Sequence, residues 1–570
     1  MLAPSLVHFA DSEQEINSFS ASDVVEHAQS QIDREIDVLE VAIRTLKRRR
    51  NAVSLVFRLP PEILGRIFEA TRSIMSAKKS LKYRLSWIAV SHVCCHWRDV
   101  AIDCLHLWTY VDSRCLEWAE EMLRRSRSMP LTVSLDLRTE EKNTIQPFWD
   151  HLPRIQKLHL TGDFNYLYNW IGLMLSTSPS LLKTFSVTFP CLEELEEPSH
   201  ATFFLDIPPL HHLELKNCPV SWQWPHFKEL VSLRLSFDAD ISDSQPSASQ
   251  LIAILSDMPR LELLHLEHVI PEVFASDVDP SPKRRVLLPQ LQCLSIVSDI
   301  RSCSGVLNHL IFPHLTLLEL KLMIEEGTNL TDEFLSICPT LSYWSDSDRP
   351  GAPAPISHLT CHYHGEGIIF SATDDRSVPE VCAAKSQLKL EFLTTDWNLT
   401  KLVRPVCESL PLRDLEVLHA TYLKLPKSAW LNSFGRLPRL ANICVTNDCD
   451  GGFIRALSTE KPFASTAQKT PLLPYFPALQ YLKIVGWDFD DPSKETTCIE
   501  RFENCLRTRR KLQSGIQALY LSECVNLLGD MVKSLETIIP RVHWDDTTLF
   551  STDSEDQEDY EDLSEWSDED

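Results

Sequence analysis

Seven stretches of this chain follow one pattern, P-x-L-x-x-L-x-L with Ile or Val admitted for Leu. They are LPRIQKLHL (152–160), PPLHHLEL (208–215), MPRLELLHL (258–266), LPQLQCLSI (288–296), FPHLTLLEL (312–320), LPRLANICV (437–445) and FPALQYLKI (476–484). Weaker copies occur at LLKTFSV (181–187), ELVSLRL (229–235), DLEVLHA (414–420) and IQALYLS (516–522). The closing L-x-L reads as a short strand whose alternate residues enter a core. Proline suits the approach to a strand, because it need not donate a ladder hydrogen bond there. A unit this small cannot bury its apolar face alone, so neighbouring copies must stack on it. Spacing is uneven, which implies loop insertions near 236–250, 345–356 and 459–474, and only faint copies (ISHLTC, LKLEFL) remain across 339–410.

The pattern resembles leucine-rich repeats, with Cys218 and Cys524 standing where such repeats carry Asn or Cys. An arc of this kind presents the residue between the two inward ones on its concave face. Those residues are His159, Glu214, Arg234, His265, Ser295, Glu319, His419, Cys444 and Lys483, a polar row of mixed sign that suits a protein or peptide better than a lipid. A solvated sheet face, with binding carried by the loops, is the alternative.

A different grammar governs the N-terminal part. QIDREIDVLEVAIRTLKRRR (31–50) carries Ile32, Ile36, Leu39, Ile43 and Leu46 at heptad steps, with Gln29 and Arg50 interrupting the seam. Such a helix either folds back on its own chain or pairs with another. Lys47 to Arg50 read as a solvated helix end or as a nuclear import patch. In RLPPEILGRIF (58–68), Pro60 or Pro61 can open a helix at no hydrogen-bonding cost, and Ile63, Leu64, Ile67 and Phe68 then share a face. In VSHVCCHWRDVA (90–101), helical spacing puts Val90, Val93, Cys94, Trp97 and Ala101 together with Arg98 and Asp99 outward; Leu105, Leu107 and Trp108 follow. TRSIMSAKKSLKYRLSW (71–87) reads as a long basic connection. So many large apolar groups in so short a module leave more surface than it can bury, and imply a partner.

LPPEIL, then IF, then V..C..WR..A, then LW, resembles the F-box, and the helix upstream resembles the arrangement in large fungal F-box families. The resemblance implies adaptor-binding roles toward a Skp protein for Leu59, Pro60, Pro61, Glu62, Ile63, Leu64, Ile67, Phe68, Val93, Cys94, Trp97 and Trp108. Leu59, Ile63, Leu64, Ile67, Phe68 and Trp97 would be the desolvated anchors.

Asp plus Glu total 80 against 55 Lys plus Arg, a net charge of −25, which argues against a nucleic-acid or anionic-membrane surface as the main business. Seventeen cysteines lack framework spacing, the opening MLAPSLVHFADSEQE lacks the marks of a secretory leader, and no run is long enough to span a membrane. We therefore expect reduced thiols and a soluble protein of cytoplasm, nucleus or both. Phosphate-cradling, nucleophile-elbow and zincin motifs are missing, so no catalytic residue and no cofactor is expected. CHYH (361–364) is the nearest thing to a metal site, but neighbouring strand residues point apart, so no metal is expected. STDSEDQEDYEDLSEWSDED (551–570) holds 11 Asp and Glu and no Lys or Arg. It reads as an unfolded solvating tail, or as a docking or phosphorylation segment through Thr552, Ser554 and Ser567.

The expected fold is α/β: a disordered start (1–22), an amphipathic helix (23–54), a helical F-box module (55–112), an irregular leucine-rich-repeat solenoid of short parallel strands (113–545) and an acidic disordered tail (546–570). The expected role is a non-catalytic substrate receptor, joined through Skp to cullin and RING subunits of a ubiquitin ligase and holding a protein substrate on the repeats. A ligase-independent interaction scaffold is the alternative.

Overall fold

The computed structural model describes residues 22–76, 84–138, 146–163, 167, 171, 179–189, 209–218, 222, 225–238, 245–271, 285–325, 330–374, 386–394, 399–447, 452–459, 475–489, 498–512 and 514–547. The readings of the chain start, of the insertion at 459–474 beyond its first residue and of the tail 551–570 lie outside the described residues, as does part of the 236–250 insertion. Two compact units result, residues 1–159 with 179–182, and residues 160–178 with 183–570.

In the first unit, α1 (Ser22–Ala52) is a single long helix. Its seam residues Ile36, Ile43 and Leu46 are exposed, while Ile32 and Leu39 are half-buried. α2 (Pro61–Ser76) opens where the prolines demand, with the amides of Ile63 and Leu64 both donating to the Pro60 carbonyl at 3.0 and 3.1 Å. It also runs through Thr71–Ser76, which the sequence reading had assigned to a loop; residues 77–83 are not described.

A second correction concerns VSHVCCHW. Ser86–His92 is 3-10 helix, and α3 (Cys95–Asp103) starts only after a break at Cys94, which is extended (φ −160°, ψ 169°). Val90, Val93 and Cys94 therefore do not share a helical face with Trp97. The physical reason is capping: Cys94 Sγ accepts from the Trp97 amide at 3.5 Å, taking up a donor that the first helical turn cannot satisfy itself. Leu64, Phe68, Trp87, Ile88, Val100, Ala101, Leu107 and Trp108 form the core, tied by a Trp108 Nε1 bond to the Ala101 carbonyl at 2.8 Å.

This unit continues beyond residue 112, because the next elements pack on the same core. β1 (Tyr110–Asp112) pairs in parallel with β2 (Leu131–Leu137), and α4 (Leu116–Arg125) sets the Arg125 guanidinium 4.3 Å over the Trp108 ring. β3 (Ile155–Gly162) follows.

The second unit is a mixed α/β region dominated by parallel strands. They are β4 (Thr184–Thr188), β5 (His212–Lys216), β6 (Ser232–Ser236), β7 (Leu263–Glu267), β8 (Val286–Leu287), β9 (Cys293–Asp299), β10 (Leu310–Ile311), β11 (Leu317–Met323), β12 (His358–His364), β13 (Gly367–Thr373), β14 (Leu388–Leu393), β15 (Val417–Thr421), β16 (Asn442–Thr446), β17 (Tyr481–Val485), β18 (Ala518–Ser522) and β19 (Arg541–Trp544). All eleven copies of the L-x-L pattern, strong and weak, form strands. β4, β5, β6, β7, β9 and β11 pair in parallel in chain order, while β8 and β10 pair with each other.

After β11 the order changes. β11 pairs with β14, β14 with β13 and β13 with β12, the last two antiparallel, and β12 then pairs in parallel with β15. β15 to β19 resume parallel order. The faint copies at 339–410 thus belong to an excursion containing an antiparallel strand, and not to a plain parallel repeat. Gly367 permits it, since a Cβ there would sit 2.7 Å from the Phe392 carbonyl oxygen.

Inward residues alternate as the pattern predicts: Leu213 and Leu215, Leu264 and Leu266, Leu318 and Leu320, Leu482 and Ile484 are all buried. α5 (Ala248–Ser256) and α6 (Ile300–His309) add Leu251, Leu255, Cys303, Val306 and Leu307 to the core. Asn217, His268, Tyr422, Asn447 and Glu523 each adopt a left-handed φ of 53–56° directly after a strand. Asn217 uses its position: its amide donates to the Phe189 carbonyl and the Asp238 carboxylate and accepts from the Asp238 amide, joining three successive strand exits. Cys218 and Cys524 are buried. Two buried arginines close other gaps. Arg349 donates to the carbonyls of Phe312, Pro313, Leu315 and Trp344, and Arg509 to those of Tyr475 and Phe476. Both therefore staple an F-P segment of the repeat, and burial lowers the pKa of each.

Candidate functional site

Two surfaces follow, one in each unit. In the first, α2 divides the residues expected to bind an adaptor. Leu64 and Phe68 are 0 % exposed inside the module, and Trp108 is equally buried; these three are corrected from contact residues to core. The reason is local, since Phe68 meets the Trp97 ring at 5.1 Å and Leu64 lies one turn before it on the same stripe. Ile63 and Ile67 instead face out at 40 % and 44 % exposure, continued by Ile74 at 63 %, while Pro60, Pro61 and Glu62 are exposed beside them. Val93 is exposed at 59 % on the break before α3; Leu59, Cys94 and Trp97 are half-buried. Leu55 and Val56, which the sequence reading did not single out, add exposed apolar surface in the 3-10 turn Leu55–Arg58. The surface is an apolar helix face with prolines at one end. It offers apolar area for desolvation.

In the second unit, strand register aligns the predicted row. Glu214 pairs with Arg234, Arg234 with His265, His265 with Ser295 and Ser295 with Glu319. The row then crosses the excursion through Lys389, Ser371 and Thr360 to His419, Cys444 and Lys483, and ends on Tyr520 and His543. Sequence reasoning missed Lys389, Ser371, Thr360, Tyr520 and His543. LYL was itself among the weaker copies, and LKLEFL and ISHLTC among the faint ones, so the central Tyr520, Lys389 and Thr360 carried a signal; Ser371 and His543 lie on strands outside the pattern. His159, on β3, falls in the first unit.

The two halves of the row differ electrically. Around β9 to β14 charges are paired on the sheet surface: Lys321 with Glu391 at 3.3 Å and Lys389 with Glu319 at 3.0 Å. Exposed pairs of this kind contribute little stability but neutralise the face. Across β12 and β15 to β19 an open groove of about 750 Å³ is lined by His358, His419, Cys444, Lys483, Tyr520 and His543, among others. Lys483 has no ion-pair partner among the described residues. Burial, then His358 and Lys483, lower the His419 pKa; burial raises that of Cys444 against the pull of Lys483. Tyr520 and His543 stack with ring centres 4.6 Å apart.

In the CHYH stretch, Cys361 turns into the core while His362 and His364 face outward with rings 6.1 Å apart, so the three do not converge. No group of three or more His, Cys, Asp or Glu positioned to hold a metal occurs among the described residues. No helix of the described residues is long and apolar enough to cross a membrane.

No curated protein matches the chain. Among family models, the F-box-like family matches residues 56–114, a span that holds α2, the 3-10 helix Ser86–His92, α3 and the exposed Ile63–Ile67 face. The chain carries an F-box-like domain at its helical N-terminal end, ahead of a large, mainly parallel sheet.

Proposed function

We propose that this chain is the substrate receptor of a Skp-cullin-F-box ubiquitin ligase. The observation that carries the reading is the division of α2 within the F-box-like span: Leu64 and Phe68 hold the module together, and Ile63, Ile67 and Ile74 remain uncovered on the adjoining outward flank of the same stripe. An uncovered apolar stripe on a stable helix is what an adaptor groove requires. Skp then links the chain to cullin and RING subunits.

The strand repeats serve as an irregular leucine-rich-repeat solenoid whose outward row takes a protein substrate. Polar alternation, exposed Tyr481 and Tyr520 and the open groove support that use. The chain does no bond chemistry of its own. Its contribution is effective concentration, holding a substrate lysine near a charged conjugating enzyme so that transfer becomes intramolecular.

Titration calorimetry of the full chain with purified Skp tests the reading. Saturable binding, followed by recovery of cullin and RING subunits on the same complex, supports it. A folded chain that does not bind Skp overturns it and leaves the repeats as a ligase-independent scaffold.

A further inference from the structure

We propose that the acidic C-terminal segment, residues 551–570, docks across the groove on β12 and β15 to β19 and occupies it in competition with incoming protein. Docking stands on the geometry of the second unit; the competition rests on the receptor reading above.

Charge is the first argument. The chain has 80 acidic against 55 basic residues, yet this face turns outward the cations Lys483 and Arg541, with the imidazoles of His358, His362, His419 and His543 as hydrogen-bonding groups beside them, against one outward carboxylate on the same rows, Asp545. Asp545 is already engaged, accepting from the Glu523 and Thr547 amides at 2.8 and 3.1 Å. Lys483 and Arg541 have no ion-pair partner among the described residues, unlike the cations around β9 to β14. Such a face attracts a segment dense in carboxylates.

Chain geometry is the second. Asp545 lines the groove, and the described residues end two positions later at Thr547, with 23 residues, 548–570, following in the sequence. Crossing from β19 to β12 takes five strand spacings, about 24 Å at ~4.8 Å each. An extended chain covers that in about 7 residues, so the segment has ample length. Its 11 acids meet the cations, while Tyr560, Leu563 and Trp566 can cover Tyr481 and Tyr520. Tethering supplies an effective concentration on the order of millimolar, enough to fill the groove with a segment of modest intrinsic affinity. Phosphate on Thr552, Ser554 or Ser567 would strengthen the contact by adding charge.

The test is zero-length carbodiimide coupling on the full-length protein at low ionic strength, mapped by mass spectrometry. Coupling joins the Lys483 amine to an Asp or Glu carboxyl as an amide with loss of water. The expected result is a Lys483 link to residues 553–570 within one chain, independent of protein concentration, falling severalfold in ~0.5 M salt. Replacing the tail acids by Asn and Gln should abolish the link, leave the melting temperature unchanged and speed alkylation of Cys444 severalfold. No link at Lys483, or one formed only between chains, overturns the proposal. Skp titration on the same samples reports on the receptor reading separately, because the adaptor face is in the other unit.

Discussion

Replacing Ile63 and Ile67 together by alanine separates the two jobs of α2. Covering the exposed 40 % and 44 % of these side chains removes about 75 Å² each from water, near 2 kcal/mol apiece at about 25 cal/mol per Å². Alanine keeps part of that area, so the double change should cost about 3 kcal/mol of adaptor binding, roughly a hundredfold in Kd. It should leave folding almost untouched, because both groups already face water. Leu64→Ala is the counterpart: its side chain is fully buried, so the cavity should cost about 3 kcal/mol of stability. Calorimetric titration with Skp and thermal melts of all three proteins decide the matter. A double variant that binds within threefold of the original, with an unchanged melt, would refute the assignment of this face. So would a Leu64→Ala chain as stable as the original, since the core described here would then be wrong.

Arg349→Met removes four hydrogen bonds to buried carbonyls, and at about 1 kcal/mol each should lower stability by about 4 kcal/mol in urea unfolding. A loss under about 1 kcal/mol would mean that the staple is idle. His151, His362 and His419 have folded-state pKa values lowered from 6.5, chiefly by burial, so the unfolded chain binds more protons as acid is added. Stability should thus be fully present above about pH 7 and fall as pH drops through 6.5 and below the lowered values. Urea midpoints at pH 7.5 and 5.5 check the sign, and His419→Asn should flatten the fall. Thiol labelling of the native chain should modify exposed Cys95 well ahead of Cys218, Cys303 and Cys361, which are buried with their pKa pushed up. Equal rates would contradict the core.

Local periodicity was enough for several features. The L-x-L pattern set where strands form and which residues turn inward, because side-chain direction in a strand depends on position alone. Pro60 and Pro61 set where α2 begins, since a proline's fixed φ and missing donor act on its own turn. Glu214, Arg234, His265, Ser295 and Glu319 could be named as one row because their strands follow one another in the chain.

What needed the tertiary structure was every choice between equivalent faces and partners. Ile63, Leu64, Ile67 and Phe68 share one broad apolar stripe in sequence, and only the packing of Trp87, Trp97 and Trp108 decided that Leu64 and Phe68 would be enclosed while Ile63 and Ile67 stayed open. Lys389, Ser371 and Thr360 entered the row because β14, β13 and β12 pair out of chain order. Strand order is settled by contacts between residues far apart in sequence, which no local period records. The groove across β12 and β15 to β19 is a product of that same long-range pairing.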